Sequence, residues 1–389
     1  MIEPWQRGGF GLYVHWPFCA SKCPYCDFNS HVGGDRDPAR WTAAYLAELE
    51  HLAERSPDRV LGSVFFGGGT PSLMDPDIVA AILAAATRHW TPANDLEVTL
   101  EANPTSVDAA RFAGFVAAGV TRFSVGLQAL NDGDLKRLGR LHSVAEGRKA
   151  FEIARSVCDN VSLDLIYARQ DQTRDVWRVE LAEAIGFAGD HLSLYQLTIE
   201  DGTPFAARRA AGGLRGLPNE DLAADLYAIT RELCEAAGLH RYEVSNHARL
   251  GREARHNLVY WRSGDWAAIG PGAHGRLTSG GTRHATVTER VPERWLAAVA
   301  RQGHGIVDDD PLSGEEAAEE ALLSGLRLRE GLDRETLRNW GYDIASPAAA
   351  RLAEDGLIEV DDARIRVRDA GLILLNSVIG ALVPLEPVR

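Results

Sequence analysis

Three cysteines, Cys19, Cys23 and Cys26, stand in a CxxxCxxC spacing within the run Leu12-Tyr-Val-His-Trp-Pro-Phe-Cys-Ala-Ser-Lys-Cys-Pro-Tyr-Cys-Asp-Phe28. Thiolates are the usual protein ligands of iron–sulfur clusters. Three close thiolates can hold three irons of a cubane and leave the last iron open to a small molecule. A structural zinc site takes four ligands, commonly as two close pairs, whereas Cys158 and Cys234 are isolated and far along the chain. Five cysteines in 389 residues, with no secretory segment, do not make a disulfide framework. The spacing favours a cubane cluster over zinc.

Other residues offer complementary chemistry. Gly67-Gly68-Gly69-Thr70-Pro71 reads as a turn whose glycines let backbone approach a ligand closely. It is not the GxGxxG fingerprint of dinucleotide folds. Glu101, Gln128, Arg140 and Asp164 can supply charges and hydrogen bonds to a bound molecule. Taken singly, each is equally readable as a structural polar residue.

These residues need a frame, and the sequence supplies a repeated one. From residue 10 to about 240, short β-rich runs alternate with longer amphipathic stretches. Strand candidates are 11–16, 60–66, 96–101, 122–127, 161–166 and 191–198. Helix-like stretches cover 38–55, 76–89, 107–118, 145–156, 174–187 and 219–237. Strand-then-helix repetition requires parallel strands with right-handed crossovers. Six units predict an α/β fold, a partial (β/α)6 TIM-like barrel, with its chemistry on the loops after the strand C-termini. The cysteine loop follows the first strand candidate and the glycine turn the second. Glu101 closes the third, Gln128 ends the fourth, Asp164 lies in the fifth and Tyr195-Gln196 in the sixth.

After about residue 240 the alternation breaks. A Gly-, His- and aromatic-rich segment contains His256-Asn-Leu-Val-Tyr260-Trp261. From residue 313 onward three helical stretches and two short strands predict a small winged-helix-like α+β module. The expected division is a barrel core over 1–240, a connecting segment over 241–310 and the C-terminal module over 311–389. Such a module often binds DNA, but fold alone does not establish function, and a scaffold or partner-docking role is favoured.

Composition narrows the rest. The chain is 45% hydrophobic and 25% charged, ordinary for a globular protein with a sizeable core. Its net charge of −14 argues against nucleic acid as the main partner. The local clusters Arg249, Arg252, Arg255 and Arg327, Arg329 read as solvated surface charge. No apolar run reaches the roughly 18 residues of a membrane-spanning helix, and the first residues carry no signal-peptide pattern. A cytoplasmic location is expected, with any membrane contact peripheral.

The motifs together carry a resemblance. CxxxCxxC with Tyr25 between the last two cysteines, followed by Gly-Gly-Gly-Thr-Pro, resembles the radical S-adenosylmethionine (SAM) superfamily. Tyr13-Val-His-Trp-Pro-Phe-Cys, Ser124-Val-Gly-Leu-Gln128, Leu138-Gly-Arg140-Leu-His142 and Asp164-Leu-Ile-Tyr167 are similar to the HemN/HemW family of oxygen-independent coproporphyrinogen oxidases and their relatives. The resemblance implies that Cys19, Cys23 and Cys26 hold a [4Fe–4S] cluster and that SAM chelates the open iron. It further implies that Tyr13, Tyr25, Gly68, Gly69, Thr70, Glu101, Gln128, Arg140 and Asp164 line the cofactor pocket. One departure stands out: after Tyr167 the family usually shows Gly-Leu-Pro, and this chain has Ala168-Arg169-Gln170.

Within that family the chain is closest to the haem-chaperone branch. The oxidases carry a further cysteine two positions after the third, where this chain has Phe28, and His256-Asn-Leu-Val-Tyr260 resembles an HNxxY haem-binding motif. Imidazole and phenolate are both accepted axial ligands of haem iron. On a helix His256 and Tyr260 share a face, and Trp261 can cover a porphyrin plane. The plainer reading is a buried, hydrogen-bonding histidine among packed aromatics. The resemblance implies haem and an acceptor apo-haemoprotein as partners, with a homodimer as one means of control. The alternatives are oxygen-independent coproporphyrinogen III dehydrogenation, which is disfavoured, and another radical SAM reaction.

Overall fold

In the computed structural model, which describes residues 3–34, 36–344, 346–383 and 386–387, six strands carry the expected parallel frame. They are β1 (Phe10–Trp16), β2 (Val60–Gly68), β3 (Thr91–Ala102), β4 (Arg122–Gln128), β5 (Val161–Tyr167) and β6 (His191–Gln196). Each pairs in parallel with the next, in chain order. The crossovers contain the helices Pro38–Arg55, Pro76–His89, Ala109–Ala118, Val144–Val157 and Arg174–Phe187. Each begins on a side chain that accepts from its first turn: Asp37, Asp75, Asp108, Ser143 and Thr173. Such caps contribute about 1 kcal/mol each.

The strands sort their residues by period two. Phe10, Leu12, Val14 and Trp16 of β1 are buried against the helices, as are Val64 and Phe66 of β2, Val98 and Leu100 of β3, and Phe123 and Val125 of β4. Each such side chain removed from water stabilises the fold by roughly 1.5–3 kcal/mol. The alternate positions, among them Gly11, Tyr13, Ser63, Phe65, Glu101, Ser124, Ser162, Asp164 and His191, face the concave interior of the sheet. The residues with chemistry therefore share one face.

The barrel stays open. Short strands β7 (His240–Arg241) and β8 (Asn246–Ala248) extend the sheet beyond β6. On the other side β9 (Asp265–Ile269) runs parallel to β1, and β10 (His274–Ser279), β11 (Thr282–Thr288) and β12 (Ile306–Pro311) follow antiparallel. The segment after residue 240 thus contributes strands to the main sheet. The outermost, β12, carries Asp308, Asp309 and Asp310, charges that discourage further pairing at an edge.

The C-terminal part builds its own apolar core from Leu322, Leu326, Leu332, Leu337, Ile358, Ile365 and Ile379. Helices Gly314–Gly325, Arg334–Asn339 and Pro347–Glu354 stand beside a three-stranded sheet of Leu332–Asp333, Ile358–Val360 and Arg364–Val367, the winged-helix-like arrangement expected. Ion pairs Arg262–Glu330 and Arg276–Glu320, both 2.7 Å, tie it to the barrel. The basic clusters are neutralised at the surface, Arg249 and Arg252 by Asp190, Arg255 by Asp95 and Arg329 by Glu235. No described helix is long and apolar enough to cross a membrane.

Candidate functional site

The cysteine loop leaves the end of β1 and is pinned at both ends, because Phe18–Cys19 pairs in parallel with His31–Val32. The glycine turn after β2 docks onto it. Gly69 N–H donates to the Trp16 carbonyl at 2.7 Å and Thr70 N–H to that of Phe18 at 2.9 Å. The Thr70 hydroxyl reaches Cys19 Sγ at 3.4 Å. The glycines are required by this docking. A Cβ on Gly69 would lie 2.7 Å from the Phe18 carbonyl oxygen, and one on Gly68, at φ +106°, would lie 2.6 Å from the His15 ring. The close approach expected toward a ligand is made first toward the cysteine loop itself.

A second support comes from the loop after β4. Gly139, with φ +71°, lets its backbone pass so close to Pro24 that a Cβ would fall 2.5 Å from Pro24 Cδ. This brings Arg140 alongside Cys23, with Nη1 at 3.8 Å from its sulfur and Nη2 donating to the Gly126 carbonyl at 2.8 Å. Pro24 accepts a backbone bond from Phe205 at 2.9 Å, and the Tyr25 ring packs near Phe205. All three thiols are free. Burial, reinforced by the neighbouring sulfurs, pushes Cys26 up to about 11 and raises Cys19. Three mutually close thiols are the donor set of an iron–sulfur cluster, the guanidinium beside them offsets the negative charge of thiolate ligands, and these residues fit such a group. Among the described residues, no three His, Cys, Asp or Glu side chains are grouped for a single metal ion; a cluster, whose ligands take separate irons, needs no such grouping.

The interior face beside this loop carries the remaining candidates. Glu101 accepts from Gly68 N–H, and burial with the nearby Asp164 pushes it up to about 8. Asp164 accepts from Ser124 at 2.8 and 2.9 Å and from Ser162 at 3.2 Å, while burial raises it. Gln128 sits at a β-bulge with φ +73°, and its side-chain amide folds back over Gly126. Bulges re-aim side chains in this way. The Tyr13 hydroxyl meets His15 Nδ1 at 3.0 Å, and His15 Nε2 meets the Asn29 carbonyl at 2.9 Å at the loop's exit. Tyr13, Tyr25, Gly68, Gly69, Thr70, Glu101, Gln128, Arg140 and Asp164 are thus gathered around the cysteine loop and the interior next to it.

Sequence reasoning missed a polar chain running through the interior. Ser162 Oγ meets His191 Nδ1 at 2.7 Å, His191 Nε2 meets the Tyr242 hydroxyl at 2.9 Å, and Asn257 Nδ2 donates to that hydroxyl at 3.3 Å. Its signal was present as polar residues at alternate positions of β5 and β6.

His256 and Tyr260 lie apart from the cysteine loop, at the end of the interior where the strands begin. His256 is 1% exposed, with Nδ1 on Ser63 Oγ at 2.9 Å and Nε2 on the Tyr260 hydroxyl at 2.6 Å. Its ring stacks on Phe65 at 5.0 Å and on Tyr13 at 6.4 Å. Burial lowers its basicity to about 3, so it is neutral. In this conformation the plainer reading of the motif describes it. Trp261 turns instead toward the C-terminal part, near the Arg327 guanidinium, and lines a cleft of about 160 Å³ with Arg7, Arg262, Asp333 and Arg364.

Comparison with known proteins agrees with this architecture. Residues 13–206 match the family model for the Radical SAM superfamily, and residues 312–374 that for the HemN C-terminal domain. A mouse protein named radical S-adenosyl methionine domain-containing protein 1, mitochondrial, is 40% identical over 96% of this chain and 87% of its own length. The heme chaperone HemW of Mycobacterium tuberculosis is 36% identical over 98% of this chain and 96% of its own. Among solved structures, coproporphyrinogen III oxidase (HemN) from Escherichia coli superposes with a TM-score of 0.79, covering 96% of this chain and 90% of its own, at 21% identity. That likeness establishes the fold.

Proposed function

The chain belongs to the radical SAM superfamily, in the family of the heme chaperone HemW and its relatives, and from that premise we propose that it is itself a haem chaperone. In this reading Cys19, Cys23 and Cys26 hold a [4Fe–4S] cluster, with SAM on the open iron. Thr70 and Arg140 fix the sulfurs of Cys19 and Cys23. The acceptors Glu101, Gln128 and Asp164 offer partners to ammonium and hydroxyl groups of the bound cofactor. Haem engages the His256–Trp261 segment and passes to an acceptor apo-haemoprotein. Work in the reducing cytoplasm suits free thiols and an oxygen-sensitive cluster.

One observation carries this reading against coproporphyrinogen dehydrogenation. Tyr13, Phe65 and His256 stack across the interior and the Tyr260 hydroxyl bonds His256 there, so a porphyrinogen seated among the strands would have to displace these side chains. Phe28, 55% exposed at the position of the oxidases' extra cysteine, points the same way.

The test is anaerobic reconstitution followed by haem titration of the wild type and His256→Ala, read in the Soret band, with oligomeric state recorded before and after. Stoichiometric haem binding that is lost in His256→Ala supports the reading. A parallel incubation with coproporphyrinogen III, SAM and a reductant decides the alternative: formation of protoporphyrinogen overturns the chaperone reading in favour of the enzyme.

A further inference from the structure

The loop after β5 departs from the family pattern where Ala168-Arg169-Gln170 replaces Gly-Leu-Pro, and the structure shows what that change builds. Ala168 keeps a glycine-like backbone, with φ +58°, a conformation that a Cβ disfavours. Arg169 is 2% exposed. Its guanidinium donates to Glu180 at 2.5 Å, to Asp134 at 3.1 Å and to the Ile166 carbonyl at 2.5 Å. Glu180 also accepts from Leu130 N–H at 2.7 Å and from Gln172 at 3.2 Å, so the carboxylate is fully used.

Asp134 belongs to the short helix Asp132–Arg137, and that helix leads directly into the cysteine loop's second support. Leu135, its next residue, accepts the backbone bond of Arg140 at 2.9 Å, while Gly139 packs on Pro24 and Arg140 reaches Cys23. Arg137 donates to the Gln170 carbonyl at 3.2 Å, a second tie between the same two elements. We infer that Arg169 is a positioning residue for the cysteine loop: through Asp134 it locks the helix that sets Arg140 against Cys23. The inference rests on the cluster reading of that loop. A buried, multiply bonded arginine does this work where an apolar residue and a proline would stiffen the loop by shape alone.

Wild type, Asp134→Ala and Arg169→Leu are reconstituted anaerobically, and iron content, the EPR spectrum of the reduced cluster and its titration with SAM are compared. Asp134→Ala cuts the tie to the helix and leaves the Arg169–Glu180 pair in place. It is expected to fold and load iron normally, yet to need about tenfold more SAM for half-saturation, the equivalent of one lost charge-assisted contact. Arg169→Leu is expected to show a larger change in the same direction, with an altered EPR spectrum. Folded Asp134→Ala with the wild-type spectrum and SAM titration overturns the inference, whether or not Arg169→Leu folds. A wild type that takes up no cluster overturns instead the reading on which it rests.

Discussion

His256 Nε2 and the Tyr260 hydroxyl stand 2.6 Å apart across one turn of the helix Arg255–Trp261, each satisfying the other. The imidazole is neutral, and its other nitrogen, Nδ1, is held by Ser63 Oγ at 2.9 Å, so in either tautomer one ring nitrogen donates and the other accepts. Neither ring nitrogen is free, so iron ligation by His256 must first open this pair.

That competition gives a sign to test. Tyr260→Phe removes the partner of Nε2 and is expected to tighten haem binding by about fivefold, the worth of one modest hydrogen bond. His256→Ala abolishes it. Soret titrations of both variants check this; loss of binding in Tyr260→Phe with retention in His256→Ala would assign the ligand to the phenol instead.

Arg140 lies 3.8 Å from Cys23 Sγ. A fixed positive charge stabilises the more negative, reduced state of a cluster. Arg140→Met is therefore expected to lower the reduction potential, by on the order of tens of millivolts or more. An EPR-monitored redox titration of reconstituted protein measures it, and an unchanged or raised potential contradicts the placement.

Glu48 is buried and accepts from Gly270 N–H at 2.8 Å, from Gly305 N–H at 2.7 Å and from the Trp295 indole at 3.0 Å. Burial outweighs these donors and raises it from 4.5 to about 7. The native chain then retains a proton that the unfolded chain has released. The associated stability is full below pH 4.5 and is lost as pH rises through about 7. Glu48→Gln does not titrate and turns an amide donor toward donors, so it melts lower. The gap in melting temperature should narrow from pH 5 to pH 8, by at most a few kcal/mol in stability. An equal gap at both ends refutes the assignment.

Tyr242→Phe removes the hydroxyl shared by His191 and Asn257 deep in the interior. Leaving the buried His191 nitrogen and the half-buried Asn257 amide without that partner is expected to cost about 1–3 kcal/mol. The denaturation midpoint should fall with an unchanged m-value, and amide exchange should quicken in the helix that carries Asn257. A midpoint within error of the wild type would show that the chain contributes nothing measurable.

How much of this was readable follows from how local each signal is. The six parallel strands were, because each buries one face and leaves chemistry on the other, a pattern that survives in any short window. The helices between them were, because each is a long amphipathic stretch. The role of Gly69 was not, since it depends on the Phe18 carbonyl at the start of the crossover that leads into β2. The fate of His256 was not either. A spacing of four serves a hydrogen-bonded pair as well as a pair of haem ligands, and Ser63, its other partner, is 193 residues away in sequence. Strands β7 and β8 were hidden by their brevity, and β9 to β12 by lying in a stretch rich in Gly, His and Asp with no helices between most of them. Arg169 was noticed only as a departure; its burial follows from Glu180 and Asp134 on two different helices.

Because β1 to β6 hand their odd and even positions to opposite faces, the residues that could react and those that hold the shell together are almost disjoint sets. A replacement at an inward position of these six strands can alter what is recognised while the helices keep their seating. A replacement outside can alter robustness while the chemistry keeps its geometry. Such a scaffold can drift toward new cargo one interior side chain at a time, and its descendants would still fold alike.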